Sequence, residues 1–228
     1  DRNEEYDFHW DSDWDNEENI SGMDKQNLSL PYDSTLRTAL LQFDAAAGKF
    51  TLSDTCSDLI KFEKRGIVGN YAMEIENTGD SATINIDMHT EGNIHTKRGN
   101  KVDMMLNTRP YWNFDLNVGA AEVILDLTQY KVSSLDIDGG ACSLDLKLGS
   151  LQSNTNMNIE TGASSITLKI PKEAGCEVNT HSFLTENDLE GFTKTEKNTH
   201  QTENYKTAAQ KIHIEMNAAV SSLKIERY

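Results

Sequence analysis

The sequence predicts an all-β fold: a single elongated, β-helix-like solenoid domain built from strand-corner-strand repeats of about 21–22 residues. Three observations predict it. A unit is written three times between Phe114 and Ile170, as Phe114–Leu125, Leu135–Leu146 and Met157–Leu168, and its corner glycines Gly119, Gly140 and Gly162 recur after 21 and then 22 residues. Within each unit apolar and polar residues alternate, the period of a strand with one buried face. Long amphipathic helical stretches are absent. A short fixed period of strand, turn and strand buries its apolar face only by stacking each unit on the next.

The alternation assigns the faces. Leu116 and Val118, Leu135 and Ile137, Met157 and Ile159 point inward from the first strand of each unit. Val123 and Leu125, Leu144 and Leu146, Ile166 and Leu168 do so from the second. The outward residues of the first strands are Asp115, Asn117, Asp136, Asp138, Asn158 and Glu160. The corners are structural: Gly119-Ala120, Gly140-Ala141 and Gly162-Ala163 keep side chains small where one rung approaches the next, so Gly140→Val is expected to break the stack.

Residues 1–26 read as an acidic-aromatic linker, juxtamembrane in character, and 27–228 as the solenoid domain. From Asn27 the pattern becomes β. Leu28 and Leu30 alternate before Pro31, and Thr38–Phe43 leads to a weaker corner with Ala46-Ala47 in the Gly-Ala place. Leu59–Glu63 begins another rung; Tyr71–Glu76 and Thr83–Met88 alternate on either side of a turn at Asn77–Asp80. Residues 89–100 read as an exposed loop and Val102–Leu106 as a strand. After Pro171, Cys176–Val178 is a short strand, while 184–207 is polar and irregular with Gly191-Phe192 as its anchor. Lys211–Met216, Ala219-Val220 in the corner place and Leu223–Ile225 close the chain. About nine rungs at ~4.8 Å each would make a rod of roughly 45 Å.

Composition narrows the function classes. The 228 residues carry a formal charge of -16, and residues 1–19 hold nine carboxylates against one Arg, half of that total. No basic stripe is written along the chain, which sets nucleic acid aside and disfavours binding to an anionic lipid surface. No apolar run approaches the ~18 residues of a membrane span. The start at Asp1 rather than Met fits a trimmed product whose upstream anchor has been removed. Cys56, Cys142 and Cys176 form no disulfide framework and no metal motif; Cys142 reads as a small packing residue, and Cys142 with Cys176 is the pair best placed to meet across rungs.

Catalytic signals are missing. The six histidines, His9, His89, His95, His181, His200 and His213, lie in no ligand spacing, and no nucleophile elbow, phosphate loop or dinucleotide fingerprint occurs. His213 faces outward with Asp136 or Asn158 as its counterpart in earlier rungs. The reading is a non-enzymatic domain without cofactor or metal. The one constellation able to bind something is the outward ladder, in which Asp115, Asp136 and Asn158 stack, as do Asn117, Asp138 and Glu160, at about 5 Å. A cation between Asp138 and Glu160 would relieve their repulsion; a solvated face that discourages sticking is the simpler account.

Two C-terminal stretches carry a family resemblance: Leu189-Glu190-Gly191-Phe192-Thr193-Lys194, and Glu203-Asn204-Tyr205-Lys206-Thr207-Ala208-Ala209-Gln210-Lys211-Ile212-His213-Ile214 ahead of a corner and a final strand. With the Val118-Gly119-Ala120 and Gly162-Ala163-Ser164 units, this grammar resembles the C-terminal domain of LiaF-like proteins, also called toastrack and related to adhesin-type domains. The resemblance covers most of residues 35–228; Ala46-Ala47 and Ala219-Val220 depart from its Gly-Ala corners. It implies a β domain behind N-terminal membrane helices in the cell envelope, anchored through a missing N-terminal segment. It also implies a regulator of an envelope-stress response that contacts a membrane protein partner such as a histidine kinase, with no catalytic residues to carry over. The alternative expectation is a surface adhesin or glycan-binding solenoid. Open solenoid ends allow a homodimer.

Overall fold

The computed structural model describes residues 24–66, 69–89, 99–181 and 184–228. The stretch 1–23, most of the acidic-aromatic linker with His9, lies outside the described residues, as do His95 and most of the 89–100 loop.

Five long strands carry the fold: β2 (Thr38–Thr55), β7 (Tyr111–Leu127), β8 (Lys131–Leu148), β9 (Asn154–Ile170) and β14 (Lys211–Arg227). They lie parallel and side by side in the order β2-β7-β8-β9-β14. Each folds at its corner into two arms whose apolar faces meet. The Phe43 and Phe50 rings, one from each arm of β2, stand 5.1 Å apart edge to face. Leu116 and Val118 of β7's first arm share a small void with Val123 and Leu125 of its second. The chain thus builds two facing sheets, with corners along one edge and connecting turns along the other.

Register follows the alternation. Leu116, Ile137 and Ile159 are paired across β7, β8 and β9, as are Val123, Leu144 and Ile166, and all are buried. Burying each such side chain contributes about 1.5–3 kcal/mol, and a one-residue slip would turn the whole set to solvent, so this register has no near competitor. Ala47 and Val220 pair with Ala120 and Ala163, which puts Ala46 and Ala219 level with the corner glycines, as the sequence pattern requires.

The ends are not sequential. β5 (Ser81–His89) and β6 (Asn100–Leu106) lie parallel to the two arms of β2 and form one split level outside it, although they follow it in the chain. At the other end β10 (Gly175–Thr180) and β11 (Leu184–Leu189) flank the two arms of β14 in the same way. Antiparallel strands cap both ends. β4 (Asn70–Thr78) covers β5, β3 (Ile60–Gly66) covers β6, and β1 (Asp24–Leu30) covers β3. β13 (Thr199–Thr202) covers β10, and β12 (Phe192–Lys194) covers β13.

Several expectations are corrected here. The described residues form seven parallel levels, not nine, because the segment at Leu59–Glu63 belongs to an antiparallel cap rather than a rung. The alternating stretches at Tyr71–Glu76 and Thr83–Met88 form a β4–β5 hairpin turning at Gly79 (φ 63°), and only its second strand joins a rung. The segment 184–207 holds three short strands instead of irregular chain. Cys142 and Cys176 do not meet: Cys142 lies on a second arm level with Ser164, Cys176 on a first arm level with Ile212, and all three thiols are free. His213 stands level with Asn156 of β9; Glu215 occupies the Asp136–Asn158 row instead.

A Cβ on Gly140 would sit 3.4 Å from the Gly119 carbonyl oxygen, and one on Gly162 3.0 Å from that of Gly140. The Gly140 position borders on ordinary contact for a Cβ, whereas at Gly162 the Gly140 carbonyl would have to give by a few tenths of an ångström. Gly48 is more demanding, with φ 144° and a Cβ position 2.0 Å from the Asn100 carbonyl oxygen.

Candidate interaction face

The first arms turn their polar residues outward on strands held in register, so the six residues singled out in the sequence come together as two rows. Asp115, Asp136 and Asn158 form one; Asn117, Asp138 and Glu160 form the other. Both rows extend further than the three clear repeats suggest. Gln42 precedes Asp115 in the first, with Glu215 and then Asn179 beyond Asn158. Asp44 precedes Asn117 in the second, with Asn217 beyond Glu160. For Gln42, Asp44, Glu215 and Asn217 the signal was the alternation before the Ala46-Ala47 and Ala219-Val220 corners; Asn179, on β10, had none.

Amides and carboxylates are interleaved toward the ends of the rows. Gln42 Nε2 donates to Asp115 Oδ2 at 3.0 Å and Asn117 Nδ2 to Asp44 Oδ1 at 2.9 Å. Asn217 Nδ2 donates to Glu160 Oε1, and Asn179 Nδ2 to Glu215 Oε1, each at 3.5 Å. These bonds leave out the two β8 carboxylates, Asp136 and Asp138. Burial holds the Asp136 carboxyl above its ordinary range, and the charges of Asp115 and Asp138 push it in the same direction. The centre of the face is therefore its most electronegative part.

The second row borders an open groove of about 980 Å³ along the corner edge. Asp44, Asp138 and Glu160 supply its charge, and Gly139, Ala218 and Ala219 are among its small residues. The corners Gly119, Gly140 and Gly162, with Ala120, Ala141 and Ala163, follow this edge level by level. His181 lines the groove's far end, its Nε2 3.9 Å from Glu215 Oε2. Among the described residues no group of three or more His, Cys, Asp or Glu side chains is placed to hold a metal ion.

His213 and Glu177, level with Asn156, continue this face one row nearer the strand starts. His213 Nδ1 lies 3.5 Å from Glu177 Oε1 and 3.3 Å from the Tyr205 hydroxyl. Burial pushes the His200 imidazole below its usual range, aided by Lys194. Burial raises the Cys142 thiol to about 11 and the Cys176 thiol further, which keeps both protonated and inert. No described helix is long and apolar enough to cross a membrane.

With this geometry in view, the comparisons are specific about the fold. The crystal structure of a "putative cell adhesion protein" from Clostridium sporogenes superposes with a TM-score of 0.82 at 19% identity, over 90% of this chain and 100% of that one. Two further structures, "putative adhesins" from Bacteroides fragilis and Parabacteroides merdae, align over 90% and 89% of this chain, and over 98% and 80% of theirs. At TM-scores of 0.32 and 0.29 and identities of 7% and 11%, they are too distant to bear on it. None of the curated proteins matches the sequence. The family model described as the N-terminal domain of toast_rack, DUF2154, matches residues 11–169, more than half of the chain. The two-armed stack, its small-residue corners and this match agree: the chain belongs to the toast_rack N-terminal domain family.

Proposed function

We propose that this is a non-catalytic contact domain of a membrane-anchored protein in the cell envelope, which modulates an envelope-stress response by binding a membrane protein partner. The observation that carries the reading is the pair of polar rows, held in register across the stack and bordering an open groove rather than an enclosed cleft. Enzymes bury most of a small substrate in a concave, largely apolar site. This face is instead rigid, elongated and hydrophilic, the kind of surface that reads charge and hydrogen bonding on another macromolecule. Membership of the toast_rack family supports a non-enzymatic role, and the resemblance of residues 189–214 to LiaF-like proteins favours a histidine kinase as the class of partner.

In-cell crosslinking of the full-length protein, followed by mass spectrometry, tests this. Enrichment of a histidine kinase or another envelope-stress membrane protein, lost when Asp136 and Asp138 are changed to Lys, is the expected result. A second reading, a surface adhesin, draws on the printed name of the Clostridium neighbour and on the amide-carboxylate rows, which suit hydroxyl-rich glycans. Retention on cell-wall or host glycan with no protein captured would replace the regulatory reading with that one.

A further inference from the structure

The edge opposite the corners carries tyrosines and cations as well as carboxylates such as Asp33, Asp58 and Asp80, the last two ion-paired to Lys61 and Arg37. Each turn leading from one level to the next lies there, and four cation-tyrosine pairs line up along it. Arg109 sits 5.7 Å from the Tyr32 ring centre and Lys131 5.0 Å from that of Tyr111. Lys147 sits 4.9 Å from the Tyr228 ring and Lys211 5.2 Å from the Tyr205 ring. The large hydrophobic side chains exposed among the described residues are on the same edge: Tyr111 at 41%, Leu151 at 54% and Tyr228 at 47%. Elsewhere cations are matched to carboxylates on the outer faces, as in Lys49–Glu122, Arg65–Asp103 and Lys169–Asp145. Among the described residues no carboxylate pairs with Arg109, Lys131 or Lys147, and Asp126, which acts on Tyr228 from β7, bonds the Thr128 backbone N–H and hydroxyl.

We infer that the two edges are partners: the cationic, tyrosine-bearing turn edge of one copy docks into the acidic corner groove of a second copy of this chain. Charge complementarity is the first argument: Lys131, which donates to the Arg109 carbonyl at 2.7 Å, and Lys147, level with Asp126, form no ion pair among the described residues, while exposed Asp138 and Glu160 stand on the other side. Shape is the second. The groove has small residues beneath it at Gly139, Ala218 and Ala219, whereas Tyr111, Leu151 and Tyr228 stand out from the opposite edge. Period is the third. Both edges repeat with the same strand spacing of about 4.8 Å, so a copy displaced sideways without rotation sets the β8 lysines opposite Asp138 of β8, with Glu160 of β9 beside it. The net negative charge of the chain opposes association at long range, but ionic strength near 0.15 M screens beyond about 8 Å while direct contacts persist. Such a contact is head-to-tail and does not close on itself, so it yields rows of copies rather than a sealed dimer. It shares Asp138 and Glu160 with the partner surface proposed above but does not rest on that reading, and the Lys131→Glu, Lys147→Glu variant, which leaves the ladder intact, separates the two.

Zero-length carbodiimide crosslinking of the purified full chain, as an equal mixture of ¹⁴N and ¹⁵N protein, tests this directly. Within one copy the two edges are separated by a whole arm, about 25 Å at ~3.3 Å per residue, so a link between them joins two copies. Mixed-isotope links from Lys131 or Lys147 to Asp138 or Glu160 are expected, together with a sedimentation coefficient that rises with concentration. Lys131→Glu with Lys147→Glu should abolish both, as should Asp138→Lys with Glu160→Lys, and the chain carrying all four changes should assemble again. A protein that sediments as a monomer at every concentration overturns the inference. So does assembly that is indifferent to these charge reversals, or whose links map to the edge strands β1 and β11.

Discussion

Asp136 shows how a single position on the ladder is set by its neighbours. Its carboxyl is held above the ordinary value by burial and by Asp115 and Asp138, so the folded state binds its proton more tightly than the unfolded chain does. Its contribution is therefore lost as pH rises from the unfolded value near 3.8 through the raised folded one, and at neutral pH the ionised group is unfavourable. Asp136→Asn is expected to raise the unfolding free energy measured by urea titration at pH 7 by about 0.2–1 kcal/mol after solvent screening, with the advantage vanishing below about pH 4. Glycines divide by the same local reasoning. Gly48→Ala meets both a left-handed φ and the Asn100 carbonyl and should cost more than about 1 kcal/mol, whereas Gly140→Ala should stay within about 0.5 kcal/mol. Thermal melts of the two variants side by side check the contrast. Cys142 and Cys176 should react with a thiol reagent only as the protein unfolds, with the half-buried Cys56 modified first.

At the scale of elements, the caps decide whether the sheets stay closed. Gln26 on β1 donates through Nε2 to the Tyr71 carbonyl at 2.6 Å and accepts the Tyr71 N–H at 2.8 Å, tying the edge strands of the two sheets together. Gln26→Ala should loosen that end by about 1–2 kcal/mol, read as faster hydrogen exchange in β1 and β4 with little change in β8. At the other end Arg227 of β14 ties two turns together, donating to the Lys172 and Ala174 carbonyls and to Asn204 Oδ1. These devices were not legible in the sequence. The three central rungs were, because corner and alternation repeat there together. A cap strand such as β3 alternates with the same period of two as a rung strand, so Leu59–Glu63 reads as one more rung, and buried Lys64, whose Nζ reaches the Gly69 carbonyl at 2.7 Å, does not stand out. Nor does a local pattern encode which neighbour a strand takes, so the insertion of β2 inside β5/β6 and of β14 inside β10/β11 could not be seen.

Across the whole molecule, strands stacked in register convert scattered residues into continuous edges and faces. The six ladder residues were legible because their outward alternation needed no knowledge of partners. Gln42, Asp44, Glu215, Asn217 and Asn179 were harder, since the corners beside β2 and β14 lack glycine and β10 stands out of chain order. The cation-tyrosine edge was invisible because its members come from separate turns with no common motif. The account's central claim is that the ladder is the surface through which this domain contacts a protein partner. It is tested most directly by placing a photo-crosslinking residue at Asn158, and separately at Thr167 on the outer face of the opposite arm, in the full-length protein in living cells. Capture of one membrane partner from position 158 but not from 167 is the predicted result. Equal capture from both, or none from 158 while the protein remains folded and functional, would contradict it.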